Sequence, residues 1–578
     1  MAHREKFGRI GSLGLSLLAW ITAVVACHAS EHDAHSRQSF DVIVAGGSTA
    51  AFASAIAAAE SGARTLLIEP TNWVGGQLTA SGVPAVDEAW HTIREPGTER
   101  PLLNVAAVAR MPQNITPNFN EALTSISDPG ECWVSRFCFC PDQFVVNQLQ
   151  TLQDRVGDRL VVLLDTVVKD VEVDETGRRI VALTTITRTP RPDVAAQGYD
   201  VLPSQDLADW YSAADSARFT KQVRRIEASP TDGTTIFIDA TEWGEVLALA
   251  DAPYLIGVES SDGGTQGDDT CGQATVCCFV ERFHREPAAD PAPPVHAERL
   301  GYGSYRERDD AWEKIWTYRR IRGSGPPGPG DLCLQNWGYS FSLGEGGNDY
   351  PFGYLFKGYE ATRAERAEWQ GGINLNVLAA AEQRAFAWHQ WFKEHAPTGI
   401  DPRQITLDST VLGTTHGLAK LPYIRDTRRS IGLDGFILRL ADLTGPAEQQ
   451  TGTRFADRIA LGAYPADIHP TQCEQMPEYL SAAHDTLPFY IPFRALTNKH
   501  LENFLVAGKT MAQSFAANSA TRLHPIEWST GAAAGVAAAY MAHTGKSAAQ
   551  AYDSISELRP LVAEKTPVDW TFAPPNPQ

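Results

Sequence analysis

The sequence predicts an α/β fold built on a parallel, nucleotide-binding sheet. Two observations carry that prediction. Residues 40–69 run strand, glycine turn, helix, strand, acid, which is the order of a dinucleotide-binding βαβ unit. The 578-residue chain is 43 % hydrophobic and 20 % charged, ordinary globular composition that suits a large α/β unit with a second lobe. The formal charge of −20, with no block of Lys and Arg, argues against nucleic acid or anionic membrane as the main partner, since both need basic surface.

The first element is an export signal. Arg4, Lys6 and Arg9 precede an uncharged stretch from Ile10 to Ala26. A charged start followed by a short apolar run is the pattern of a signal peptide, here residues 1–27. The run is short for a membrane span, which needs about 20 residues, so an anchor helix is the lesser reading. Val24-Val25-Ala26-Cys27 resembles a bacterial lipobox, which would make Cys27 a lipidated first residue and the site of a lipid anchor. Simple cleavage near Ala26 or Ala29 is the alternative. The protein is expected to be periplasmic or secreted, and removing residues 1–27 takes its charge to −22. Eight cysteines then remain: Cys132, Cys138, Cys140, Cys271, Cys277, Cys278, Cys333 and Cys473. An even number in an oxidising compartment points to disulfides. Adjacent Cys277 and Cys278 leave a vicinal bond and separate pairing both open. Paired Cys-x-x-Cys spacing is absent, so no metal site is expected.

The nucleotide unit comes next. Phe40 to Ala45 reads as a buried parallel strand, followed by Gly46, Gly47, Ser48, Thr49, Ala50 and Ala51. Small helix formers continue to Glu60, and Ser61-Gly62 ends the helix. Arg64 to Ile68 is a second strand that ends at Glu69. A tight turn at a helix N-terminus lets backbone N–H groups reach a pyrophosphate. An acid about 20 residues further on accepts from a ribose hydroxyl, and Glu69 lies 18 residues after Ala51. In G-x-G-x-x-G terms the three positions are Gly46, Ser48 and Ala51, and Ser48 narrows the space for close backbone approach. A second turn follows: Thr71-Asn72-Trp73-Val74-Gly75-Gly76-Gln77. Gly344-Glu345-Gly346 also starts like a nucleotide turn, but Asp349 to Gly353 after it includes Pro351 and cannot begin a helix.

The run from Asp41 to Gln77 resembles the large FAD-dependent oxidoreductase family with a glutathione-reductase-like flavin domain. The resemblance implies FAD as cofactor, with Gly75, Gly76 and Gln77 part of its cradle. Thr234 to Asp239 followed by Ala240-Thr241-Glu242-Trp243-Gly244 is similar to the family's second FAD contact, with the glycine displaced to Gly244. The strand Asn503 to Ala507 leads to Gly508, and small residues from Gly531 and Ala532 onward make a helix. In such proteins that helix points its positive N-terminus at the flavin. Tyr423-Ile424-Arg425-Asp426-Thr427-Arg428-Arg429 resembles the Tyr-x-Arg-Glu-x-Arg-Arg signature of one branch, with Asp426 in place of Glu. The stretches 462–469 and 487–494 look like the same branch. The implied fold is an α/β FAD-binding Rossmann domain, discontinuous over 40–80, 160–187, 226–284 and 495–545. An α+β substrate or cap lobe of 81–159 and 285–494 is inserted, and 546–578 form a C-terminal extension. Residues 188–225 read as a polar, irregular surface insertion.

A flavin performs the electron chemistry itself, so the protein need only orient substrate, move a proton and stabilise charge. His469 and His524 are the acid–base candidates, and Arg425 is the candidate anion binder. His416, Arg428, Arg429, Arg494 and Glu527 are further polar candidates. Trp90 and Trp133 are candidate pocket walls, whereas Trp312, Trp316, Trp388 and Trp391 have core spacing. The expected activity is two-electron transfer between a small organic molecule and FAD, as a dehydrogenase or oxidase. Oxygen, a quinone or a redox protein would be the electron acceptor. The rivals are a non-catalytic binding or scaffold protein, motivated by Ser48 and Gly244, and a reductase or monooxygenase fed by a separate redox partner.

Overall fold

The computed structural model describes residues 39–572, apart from 96, 230–234, 265–266, 294–310, 337–346, 447, 474–476 and 481–484. The signal segment, Cys27 and Gly344-Glu345-Gly346 lie outside the described residues.

The chain enters on β1 (Val42–Ala45), turns into α1 (Thr49–Glu60) and returns on β2 (Thr65–Ile68). After an excursion come β3 (Leu160–Leu163), β4 (Thr166–Val173), β5 (Ile180–Pro190), β6 (Phe219–Glu227) and β7 (Ile236–Asp239). The lobe supplies β8 (Phe279–Phe283), β9 (Arg320–Arg322), β10 (Leu332–Gln335), α2 (Leu375–Glu394) and β11 (Ile405–Leu407). β8 lies within 226–284, the segment read as part of the flavin domain, but its partners are β10 and β11 of the lobe. The chain then returns on β12 (Phe504–Val506), α3 (Phe515–Thr521) and α4 (His524–Thr544).

Five of these strands form one parallel sheet in the order β12-β7-β1-β2-β3. Val42 pairs with Thr65 on one side and Ile236 on the other. The central strands are buried throughout, which explains their mainly apolar Val, Ile, Leu and Phe content. Strands from three distant segments thus end at one edge, where the glycine turns sit. A separate antiparallel sheet, β9-β10-β8-β11, anchors the lobe.

Residues 188–225 depart from the sequence reading. They contain two short helices, and β6 forms the third strand of an antiparallel sheet with β4 and β5. β6 is polar because most of its side chains reach solvent, so its composition hides its regularity.

α4 also starts earlier than its small residues suggest. It begins at His524, so Gly531 and Ala532 lie about two turns inside it. They are not the helix N-terminus that was expected to face the flavin. A Cβ on Gly531 would lie 2.3 Å from the Ala50 carbonyl oxygen, and one on Gly535 2.2 Å from that of Ser54. The glycines are there because α4 crosses α1 at backbone contact, which fixes α1 against the sheet.

In the lobe, Trp312, Trp316 and Phe392 stack in the core, as the spacing predicts. Trp90 and Trp133, by contrast, are 63 % and 49 % exposed. Cys132 bonds to Cys138 and Cys271 to Cys473. Cys277 and Cys278 form no vicinal bond, and both stay buried thiols with Cys140 and Cys333.

Candidate flavin site

The two glycine turns meet at the C-terminal edge of the parallel sheet. Gly47 has φ +114°, open to glycine, and brings the chain round to the N-terminus of α1. Ser48 does not obstruct this turn. Its hydroxyl accepts from the Ala51 N–H at 3.1 Å, capping α1, and donates to the Ala240 carbonyl at 2.6 Å. The departure from the glycine fingerprint therefore ties the first turn to the end of β7. Thr49 Oγ1 donates to the Gly75 carbonyl at 2.8 Å and joins the second turn to the first. A Cβ on Gly76 would lie 2.5 Å from the Ser48 backbone. Gly508 closes the cradle, since its Cβ would lie 2.8 Å from that of Ala50. Displaced Gly244 has φ +63° and carries the chain past Arg428, its Cβ position being 2.6 Å from the Arg428 Cβ. Thr241 turns inward, with its hydroxyl donating to Asp239 at 2.7 Å.

The polar groups lining this edge await partners. Glu69 is buried, and its carboxylate has only long contacts of 3.3 Å from the Thr71 N–H and hydroxyl. Burial pushes its pKa well up, and Glu242 and Asp165 add to the effect. Gln77 donates to the Arg522 carbonyl at 3.1 Å, while its Oε1 and the Ser81 hydroxyl are buried without a partner. A ribose acid, unpaired acceptors and glycine turns that exclude side chains fit FAD. Ala50, Thr49 and Gly47 would face the pyrophosphate and Glu69 the ribose, with Gly75 to Gln77 closing over the adenosine and pyrophosphate side.

Beside the second turn lies a chain of charged groups. Arg522 donates to the Tyr423 hydroxyl at 2.7 Å and to the Asp467 carbonyl at 3.0 Å. His469 sits between Asp467 (Nε2 to Oδ2, 3.0 Å) and Asp349 (Nδ1 to Oδ2, 2.7 Å). Arg425 pairs with the other oxygen of Asp349 at 2.7 Å. Burial opposes a charge on His469, but Asp467 and Asp349 outweigh it and hold the imidazole above its ordinary pKa. Asp467 is the open end of the cluster, with 46 % of its side chain exposed. The ribbon 271–276 supports both carboxylates: Thr275 pairs with Tyr350, and the Ala274 N–H donates to the His469 carbonyl.

His524 has a different position. The Asp87 N–H donates to its Nδ1 at 3.1 Å, and its Nε2 donates to the Val83 carbonyl at 3.0 Å. Burial pushes its pKa down to about 4, and Arg319 and Lys509 add to that despite Asp87. With both nitrogens held by backbone, His524 braces the first turn of α4 and is no free acid or base. Arg428, Arg429, Arg494 and His416 are held in structural contacts, whereas Glu527 pairs with Lys509 beneath the first glycine turn. Arg428 donates to the carbonyls of Trp243 and Gly372, stitching the turn after β7 to the lobe. Arg429 is buried against Glu259 and Asp426, Arg494 pairs with Asp457 at 3.0 Å, and His416 accepts from the Leu418 N–H. The sequence reading missed Asp349, Arg522, Glu242 and Lys509. Asp467 was readable as an acid two residues before His469.

Two nucleotide turns on an interrupted parallel sheet define a dinucleotide-binding fold. The chain belongs to the FAD dependent oxidoreductase family, whose model matches residues 41–199 and 194–561. It is a flavin enzyme, and FAD is its cofactor. Among solved structures it is similar to Thermovibrio ammonificans THI4, at 13 % identity and a TM-score of 0.21 over 39 % of this chain. It spans 65 % of the length of that protein. It is also similar to E. coli quinol fumarate reductase FrdA, carrying an E245Q mutation, at 12 % identity and TM-score 0.29. Mycobacterium smegmatis Sdh1 matches at 12 % identity and TM-score 0.31. These two cover 90 % of this chain and 74 % and 72 % of their own. No curated protein matches the chain.

Proposed function

We propose that this chain is an exported dehydrogenase or oxidase that passes two electrons from a small organic substrate to FAD, with His469 holding the substrate proton. The carrying observation is that the Asp467–His469–Asp349 cluster reaches the second glycine turn through Arg522 and Gln77. FAD supplies the electron-accepting ring. Asp349, held by Arg425, orients the His469 ring through Nδ1. Nε2 is hydrogen-bonded to Asp467, so the proton passes to and from the imidazole through that carboxylate, the open end of the cluster. Two carboxylates stabilise the imidazolium that results. Arg522 fixes Asp467 and the Tyr423 hydroxyl at the mouth of the site.

Among the described residues, parallel strand neighbours form one sheet, that of the FAD fold. This supports an acceptor other than a nicotinamide: oxygen, a quinone or a redox protein. Purified yellow protein mixed anaerobically with a panel of alcohols, amines and hydroxy acids is expected to bleach with at least one of them, and to regain colour with oxygen or a quinone. Bleaching by reduced nicotinamide alone would overturn the dehydrogenase reading in favour of a reductase or monooxygenase.

Export is supported by the Arg4–Ala26 pattern and by the two disulfides, which belong to an oxidising compartment. Native protein denatured without reductant is expected to titrate four thiols among the eight cysteines beyond Cys27. Eight thiols would contradict this.

A further inference from the structure

Under the glycine cradle lies a cluster that the proton chemistry leaves unused. Lys509 is 1 % exposed and sits between Glu242 at 3.0 Å and Glu527 at 2.7 Å. Glu527 lies in the first turn of α4. A Cβ on Gly508 would lie 3.4 Å from its Oε1 and 2.8 Å from the Ala50 Cβ, which places it beside the N-terminus of α1. Beyond the ion pair with Lys509 its carboxylate oxygens are buried without a hydrogen-bond partner. Glu242 lies in the turn after β7, and its Oε2 is buried without a hydrogen-bond partner. With both carboxylates ionised, the cluster carries one net negative charge in a dry site. The same α1 N-terminus is where the two negative charges of a diphosphate belong.

We propose that the Glu242–Lys509–Glu527 cluster is part of the diphosphate site and takes up one proton when FAD binds. A neutral carboxyl then meets the phosphate and donates its O–H to a phosphate oxygen. Lys509 balances the carboxylate that remains, so the cluster becomes neutral as the diphosphate arrives. The proton comes from solvent, and no bond in FAD changes.

The surroundings favour this state. Burial pushes Glu242 up to about 7, against the pull of Lys509 and with the help of Glu527. Burial likewise raises Glu527, against Lys509 and Arg522. Burial opposes the charge on Lys509, but the two carboxylates raise its pKa further, so it stays the cation. Glu69 at the end of β2 adds a carboxylate beside Glu242. Asp239 on β7 is tied to Thr241 and the Leu247 N–H. Tyr423 and Arg522 face Lys509 and Glu527 from the lobe side. His524, neutral, lies on the same turn of α4 with Asp87 and Arg319 behind it. α1 presents no titratable group to the cluster. Each of the two carboxylates holds back the ionisation of the other, so the pair titrates together.

Linkage sets the sign. An anion that raises the pKa of the pair binds with proton uptake, so its affinity falls as pH rises through the window between the free and bound values. Holoenzyme is diluted to equilibrium between about pH 6 and 9, where FAD changes no charge of its own, and released FAD is read by its fluorescence. Wild-type affinity is expected to weaken above pH 7, approaching about tenfold per pH unit. Glu527→Gln and Glu242→Gln each leave a neutral Lys–Glu pair, and each is expected to bind FAD with no pH slope. Glu245→Gln, a buried acid held by Tyr211 and Trp369, is expected to keep the wild-type slope. A flat wild-type profile, or wild-type slopes in the Glu527 and Glu242 variants, would overturn the proposal. If one variant fails to fold, the wild-type slope and the other variant decide. Protein without flavin at any pH would instead contradict the cofactor assignment, so the two failures are distinct.

Discussion

Gly76→Ala is expected to yield a folded protein depleted of flavin. Gly76 has φ +56°, and its added Cβ would lie 2.5 Å from the Ser48 C and Cα and from the Thr49 nitrogen. All three are backbone atoms of the first turn, so no side chain can swing aside. The two glycine turns must separate, and the α1 amides move away from the ribose acid. Each backbone N–H that loses its charged phosphate partner costs about 1.5–3 kcal/mol, so FAD affinity should fall by roughly 10- to 100-fold or more. Flavin absorbance per chain after purification, with circular dichroism to confirm folding, checks this. A Gly76→Ala protein that retains one FAD per chain would be incompatible with the cradle described.

Arg429→Met is expected to be the most destabilising single substitution at the seam between the flavin fold and the lobe. The Arg429 guanidinium is fully buried. It pairs with Glu259 at 2.8 Å and with Asp426, and donates to the carbonyls of Gly257 and Gln513. Glu259 in turn accepts from the Phe515 N–H at the start of α3, and Asp426 accepts from the Tyr354 hydroxyl. Removing the cation strands two buried carboxylates. Breaking a buried pair in this way costs about 3–5 kcal/mol. Denaturant unfolding of the holoenzyme should show a loss of that size, and a loss below about 1 kcal/mol would refute this role. The same residue explains the signature around it. Tyr423, Arg425, Arg428 and Arg429 stitch the flavin fold to the lobe, and none is free to act as an isolated anion site.

Local elements were the most legible in the sequence. The first βαβ unit follows from a buried strand, a glycine turn, small helix formers and an acid, all within thirty residues. The start of α4 was only half legible: its cap, Leu523, lacks the usual Ser, Thr, Asn or Asp side-chain signal, and only Pro525 and Glu527 in the first turn mark it. The acid–base cluster was half legible. His469 stands beside Asp467 in the chain, but Asp349 is 120 residues away and reaches it only across the ribbon 271–276. His524 and His469 look alike in sequence and differ only in what their nitrogens meet. Lys509 was hidden in the same way, since nothing near Gly508 announces that Glu242 and Glu527 close on it.

The account rests most heavily on His469 as the proton site beside the flavin. The direct measurement is the anaerobic rate of flavin reduction by an active substrate as a function of pH, in wild type and in His469→Gln. The neutral imidazole is the acceptor and its pKa is raised, so the wild-type rate should climb with pH through a midpoint above the ordinary histidine value of about 6.5. His469→Gln should keep its FAD, lose that limb and reduce its flavin at least about 10²-fold more slowly. A His469→Gln enzyme with the wild-type rate and the wild-type pH profile would contradict the account.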